Sequence, residues 1–232
     1  MGIAEAAGSE VIEYMPTQIF PGVVLNMQTV YMSWLTMAIV AALVFAATRN
    51  VQKIPSGIQN LMEMFIEWLN GLMESNLGVE GRRVVAPFVI TLFLYIFIGN
   101  ELGLLPQVGM HFSSPTNDIN VAFGLSIMVS VVVYIIGVMQ QGMKYFRHLI
   151  SPFAAMLPLN ILEELSKPLT MALRLFGNIL AGEILLGVLN ELVPYLLPNL
   201  WIGFSLIIGF LQAFIFTMLA VIALAPVFKV KH

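Results

Sequence analysis

Polar side chains enter the apolar helical pattern of the C-terminal third of the chain, among them Arg174, Asn178 and Glu183 in one run and Gln212 in the next. An arginine at the centre of an apolar helix costs about 2.5–3.5 kcal/mol to insert into a bilayer. It stays protonated in proteins, so Arg174 cannot shuttle a proton itself. A fixed guanidinium can instead hold a nearby carboxylate ionised and repel any cation attempting to pass. At about 4 Å and an effective dielectric near 20, such a pair is worth about 4 kcal/mol. The positions four residues either side, Thr170 and Asn178, are neutral. Glu183 lies nine residues on, which at 100° per residue points it to the opposite side of the helix. Arg174 thus lacks a carboxylate partner on its own helix. Two readings stay open: a structural ion pair or snorkelling arginine, or an electrostatic gate whose partner lies on another chain.

These residues belong to a chain built for a bilayer. Of 232 residues, 59% are apolar and 10% charged, against about 25% charged in a typical soluble domain. The mean hydropathy is +0.92. Soluble enzyme, nucleic-acid binder and disordered scaffold are excluded by this balance. The chain has no cysteine, hence no disulfide framework or thiolate metal site. His111, His148 and His232 fall in loops or at the tail, and none has the setting of a ligand. No cofactor or metal is expected, and no phosphate-binding loop is present.

The charge-free gaps predict an all-α integral membrane protein with about five membrane helices. No charge lies between Glu13 and Arg49, between Asp118 and Lys144, or from Leu192 to Phe228. The expected single membrane domain has an N-terminal segment over 1–29 and spans over 30–48, 84–105 and 119–143. Two long helices, 157–193 and 199–225, follow as a hairpin bracketed by Pro194 and Pro198. From Lys167 to Val193 there are 27 residues, roughly 40 Å of helix against a hydrocarbon core of about 30 Å. Strong tilt is therefore expected, with Pro168 as a kink point and Pro226 as the end of the last helix. Between them, Ser205, Gly209, Gln212 and Phe216 share a stripe, expected to face the Arg174 helix and an external partner. Residues 54–76 carry apolar side chains at helical spacing. They form an amphipathic helix, either lying on the cytoplasmic surface or re-entering the membrane.

Lys and Arg cluster at Arg49–Lys53, Arg82–Arg83, Lys144–Lys167 and Lys229–Lys231, and are absent from residues 1–48 and 84–143. The positive-inside rule then places the N-terminus outside and the C-terminus in the cytoplasm. No basic n-region marks a cleavable signal, and the myristoylation pattern is missing.

The run Ser166-Lys167-Pro168-Leu169-Thr170-Met171-Ala172-Leu173-Arg174-Leu175-Phe176-Gly177-Asn178, continuing to Glu183, resembles the signature helix of subunit a of bacterial-type F-type ATP synthases. Leu211-Gln212-Ala213-Phe214-Ile215-Phe216 resembles the family's second motif, and Pro115-Thr116-Asn117-Asp118-Ile119-Asn120 its loop before the third full span. The resemblance implies a stator subunit beside a rotating c-subunit ring, held with the b-subunit peripheral stalk and the remaining ATP synthase subunits in the bacterial inner (plasma) membrane. Two offset half-channels would carry protons, or sodium ions, to and from the ring, with Arg174 separating them. The chain would not be catalytic alone.

The same resemblance assigns Asn178 and Gln212 to the surroundings of the arginine, and Glu183 to the outer half-channel. Asp118 falls near the outer mouth, Glu163 toward the cytoplasmic exit, and Thr170 and Ser205 along the path. Plain structural roles stand beside each. Asn178 and Gln212 can make an ordinary interhelical hydrogen bond worth about 0.6 kcal/mol. Glu183 can be a structural pair, Asp118 a helix N-cap, and Glu163 and Glu164 surface acids paired with Lys167. Ser205 stands where some members carry histidine, so the outer path must rely on carboxylates, amides and water. An independent secondary transporter or cation channel is the competing reading, but transporters of that kind show an internal repeat and none is visible.

Overall fold

A computed structural model describes residues 16–20, 23–49, 51–104, 113–149, 156–193 and 196–229. A short antiparallel hairpin of two strands, β1 (Pro16–Phe20) and β2 (Val23–Asn26), leads into helix α1 (Met27–Thr48). These are the only strands among the described residues, and the rest of the fold is helical. Asn26 caps α1, its side chain accepting from the Gln28 backbone N–H at 3.2 Å. Helix α2 (Ile58–Leu102) is followed by a 3-10 turn at Pro115–Asn117 and by α3 (Ile119–Gln141). A further 3-10 stretch, Gly142–Leu149, precedes the two long helices α4 (Leu157–Leu192) and α5 (Leu196–Lys229). Five helices are long and apolar enough to cross a membrane. The chain is an all-α integral membrane protein.

The largest departure from the sequence expectation lies in α2. Gly78 adopts φ 73°, ψ 177°, a conformation open to glycine and costly for other residues, and the chain reverses there. The amphipathic arm, residues 58–77, folds back along the arm that follows. Arg82 pairs with Glu74 across the bend at 3.2 Å. Further along the two arms, the Phe65 and Phe93 ring centroids are 4.9 Å apart. Leu69, Met73 and Leu77 are buried with Val85, Val89 and Phe93. Trp68 stacks on Phe214 and Phe210 of α5, with centroids at 5.4 and 6.1 Å. The arm therefore packs as one half of a helical hairpin, unlike a free surface helix and compatible with the re-entering alternative.

Both arms of α2 enclose the inner face of α5. Ala213, Phe216, Ala220 and Leu224, spaced three and four apart, are fully buried together with Val221, as one face of a 3.6-residue helix must be when packed on neighbours. Helix α5 continues past Pro226 to Lys229, beyond the expected end. The Gln141 side-chain amide at the end of α3 donates to the carbonyls of Pro226 and Val227, at 3.2 and 2.7 Å. Carbonyls left open at a helix C-terminus are thereby satisfied. Pro198 likewise lies within the first turn of α5, where proline is tolerated.

The molecule has two chemically distinct ends. The bend of α2, the C-terminus of α3 and the C-terminus of α5 meet at one end, with Phe228 covering Gly81. Arg82, Arg83, Lys144, Arg147 and Lys229 belong to the segments that meet there or flank them. The opposite end, where α2 stops, the 115–117 turn sits and α4 hands over to α5, contains no Lys or Arg among the described residues.

Candidate functional site

The cation-free end holds a cavity of about 160 Å³ between α2, α4, α5 and the 115–117 turn. That is room for several waters. Asn100, Ser114, Asn178, Glu183, Ser205 and Gly209 are among its lining residues. Three of the expected site residues, Asn178, Glu183 and Ser205, are thus brought together from α4 and α5.

Asn100 and Ser114 supply polar lining, and the turn braces them from behind. The Thr116 hydroxyl donates to Asn100 Oδ1 at 2.7 Å and lies 2.6 Å from the Ser114 hydroxyl. Ser114 Oγ donates to the Gly99 carbonyl at 2.9 Å. Asn100 Nδ2 reaches the Gly209 carbonyl at 3.4 Å, tying α2 to α5. Asn117 Nδ2 donates to Glu183 Oε2, tying the turn to α4. Trp201 Nε1 donates to the Gly182 carbonyl at 3.1 Å and pins the start of α5 beside Glu183. Glu183 accordingly has an amide partner and no cation partner among the described residues. Proline at the first position of the turn and Asp118 after it explain its local shape. Asp118 caps α3, its Oδ1 accepting from the Asn120 backbone N–H at 2.9 Å and from Asn120 Nδ2 at 3.0 Å. Its carboxylate is occupied by that cap, and Asp118 is not among the residues lining the cavity.

Arg174 occupies a different setting. It is exposed on the outer side of α4, while Met171, Ala172 and Leu175 on the other side are buried. Among the described residues it has neither an ion-pair nor a hydrogen-bond partner. Around it on the same helix, Leu165, Leu169, Leu173 and Ile184 are exposed. A guanidinium left bare amid apolar side chains is costly in a bilayer unless something outside this chain meets it.

Gln212 does not reach the arginine. It is buried, and its Oε1 accepts from Asn178 Nδ2 at 3.2 Å. Its Nε2 is buried without a partner, and an amide nitrogen cannot accept from a guanidinium. The expected outward stripe is corrected here. Gly209, Gln212 and Phe216 are buried against the chain's own helices, whereas Phe204, Ile207, Leu211 and Ile215 are exposed. Spacing fixed which residues share the stripe; its direction is set by Asn100, Glu101 and Asn178, which supply polar neighbours inside.

The remaining expected residues lie toward the cationic end. Thr170 is exposed, its hydroxyl donating back to the Ser166 carbonyl at 2.7 Å. Glu163 and Glu164 flank Lys167 at 3.7 and 2.5 Å, the i,i+4 and i,i+3 pairing of an ordinary helix surface. Tyr134 on α3 also donates to Glu164, at 3.2 Å. His111 and His232 lie outside the described residues.

Among the residues given no role of their own from sequence are Asn100, Glu101, Ser114 and Trp201, and Thr116 and Asn117 entered only as part of the Pro115–Asn120 motif. Glu101 gave a usable signal: it is followed by Leu-Gly-Leu-Leu, so it sits within an apolar run rather than at its end.

An apolar five-span chain with a bare arginine on one long helix and a carboxylate in a cavity beside it is matched by a known family. The family profile described as ATP synthase A chain covers residues 30–224. The chain belongs to the ATP synthase A chain family. That membership makes it an ion-translocating subunit of the ATP synthase membrane sector, working with a c ring and other subunits. The matched stretch includes every membrane helix carrying the residues above: Arg174 on α4, Gln212 on α5 and the turn between α2 and α3 all fall inside it.

Proposed function

We propose that this chain is the stationary ion-path subunit of a rotary ATP synthase, with Arg174 as the gate between two offset half-channels. The observation that carries the reading is the contrast between Arg174, exposed and unpartnered among the described residues, and Glu183, lining a cavity at the cation-free end. The cavity is the outer half-channel. Ions enter it, pass Glu183, and transfer to a carboxylate on the ring of c subunits, which covers the exposed face of α4. Having turned with the ring, an ion leaves on the other side of Arg174, past Thr170 and Glu163, toward the cytoplasm. A permanent cation between the two routes holds the ring carboxylate ionised as it passes and repels an ion taking the direct path. Ion flow must then turn the ring.

The distribution of Lys and Arg supports an N-terminus outside and a C-terminus in the cytoplasm of a bacterial inner membrane. The b-subunit peripheral stalk holds the chain against rotation. Protons or sodium ions can serve, since the site carries no feature selecting between them. The test is Arg174→Ala in the whole complex. Coupled ATP synthesis and ATP-driven pumping in inverted vesicles are expected to be lost while the complex assembles. Normal pumping by that variant would refute the gate.

A further inference from the structure

Glu101 is the last charged residue of α2, and its side chain is turned into the protein. Both carboxylate oxygens are buried and have no hydrogen-bond partner among the described residues. Buried polar atoms are nearly always paired, and an unpaired carboxylate is among the most costly groups to bury. No described side chain donates to it: Asn100 Nδ2 turns to the Gly209 carbonyl instead, and the buried Gln212 Nε2 is likewise left without a partner. Nor can a cation arrive from its surroundings, since residues 84–143 and 175–228 contain no Lys or Arg.

The carboxylate nevertheless has a place made for it. A Cβ at Gly209 would stand 2.6 Å from Glu101 Oε1, closer than atoms can approach. The acid fills the space that the absent side chain of Gly209 leaves, and Gly209 itself lines the cavity that Glu183 also lines. A glutamine would fill the same space without the cost of a charge. What an acid adds there is the ability to take up a proton and give it back.

We propose that Glu101 is a second ion-carrying carboxylate of the outer cavity, held behind Gly209 and working in series with Glu183. The inference rests on the half-channel reading of that cavity. Glu101 does not itself line the cavity, and both its oxygens are sealed at rest. In the proton form of the reaction, a hydrated proton in the cavity passes its proton to a Glu101 oxygen when the contact at Gly209 opens, releasing its water. The proton then passes through cavity water to Glu183, which leaves Glu101 ionised for the next. No bond other than O–H is made or broken, and no co-reactant is needed. Asn117, donating to Glu183, orients the receiving carboxylate.

The experiment compares Glu101→Gln, Glu101→Asp and Glu183→Gln in the assembled complex, reading ATP-driven proton pumping in inverted vesicles against ATP hydrolysis. Glu67→Gln, an exposed acid on the amphipathic arm, serves as the control. Glu101→Gln is expected to lower pumping at least fivefold with normal assembly, Glu101→Asp to restore more than half, and the control to match wild type. Wild-type pumping by Glu101→Gln alongside slowed pumping by Glu183→Gln would remove Glu101 from the path and leave the half-channel reading intact. Wild-type pumping by both would overturn the reading and the inference together. Equal loss in the Gln and Asp variants would point to shape rather than proton carrying, and would also overturn it. Should Glu101→Gln fail to assemble, Gly209→Ala, which displaces the native carboxylate, is expected to lower pumping to the same degree, and unchanged pumping would overturn the proposal.

Discussion

Helices α4 and α5 are neighbours of similar length that meet the rest of the chain in opposite ways. In the most apolar stretch of α4, 11% of residues are buried within the chain, against 39% in α5. Helix α5 keeps its polar groups inside: Gln212 and Thr217 are buried, and Gly209 carries the Glu101 carboxylate. Helix α4 turns Arg174 outward and shows leucines around it. A membrane helix surrounded by lipid gains nothing from a bare arginine, whereas one that will be covered by a partner can afford it. Under the proposed function, the difference makes α5 the wall of the path and α4 the face that works on the partner.

The sharpest test of that contrast is Arg174→Ala. Because the side chain has no hydrogen-bond or ion-pair partner among the described residues, coupling should vanish while the thermal stability of the assembled subunit stays unchanged. A large loss of stability would show that the arginine is an internal support. Arg174→Lys should function poorly, since an ammonium lacks the planar fork and can lose its proton when buried.

Glu183 lies between the two helices and tests the wall. Glu183→Gln should slow ATP-driven pumping about tenfold, and Glu183→Asp less, with assembly preserved in both. Pumping at the wild-type rate in the Gln variant would take Glu183 off the path.

Packing offers a third comparison. Phe216 of α5 is fully buried and Leu173 of α4 exposed. Phe216→Ala should destabilise the chain by about 3 kcal/mol, as large cavities in cores do. Leu173→Ala should leave its stability unchanged and weaken only the hold on the ring. Comparable losses in detergent unfolding of the two variants would erase the distinction.

Crosslinking reads the same contrast directly, and the cysteine-free sequence makes single substitutions clean. Cysteines at 173 and 177 on α4, and at 207 and 211 on α5, should crosslink to ring cysteines severalfold more readily than those at 209, 212 or 216. The reverse order would put the buried stripe of α5 against the ring.

The smallest effect belongs to the bond joining the helices. A double-mutant cycle between Asn178→Ala and Gln212→Ala should give a coupling of about 0.6 kcal/mol, the average for such bonds in membranes. A coupling of several kcal/mol would make this pair a structural clamp rather than one contact among many.

Sequence reasoning read the outline of this architecture from two signals of simple origin. Charge-free runs mark spans because a charge in hydrocarbon is costly, and the uneven Lys and Arg separate the two ends. The setting of Arg174, without a carboxylate on its own helix face, also followed from helical spacing. Direction did not follow. Periodicity groups Gly209, Gln212 and Phe216 on one stripe but says nothing of which neighbour that stripe meets. The reversal at Gly78 was equally illegible, since Gly71 nearby lies inside an ordinary helix and only φ at Gly78 distinguishes the two. Glu101 was passed over because an acid after an apolar run looks like its end.

The reversal at Gly78 also orders events in time. The folded-back arm carries Glu63, Glu67 and Glu74 within residues 58–77, too many charges to enter a bilayer readily by itself. Its aromatic seat is provided partly by Phe210 and Phe214, which lie 142 and 146 positions after Trp68. At a synthesis rate of roughly 5–20 residues per second, the arm waits on the order of ten seconds for those residues to emerge from the ribosome. During biogenesis Phe65 and one edge of Trp68 can already pack on Phe93 of the following arm, but the face of Trp68 that Phe210 and Phe214 cover stays open until the final helix is complete. A chain truncated before α5 would leave that aromatic face open, a natural handle for the insertases and proteases that sort finished subunits from unfinished ones.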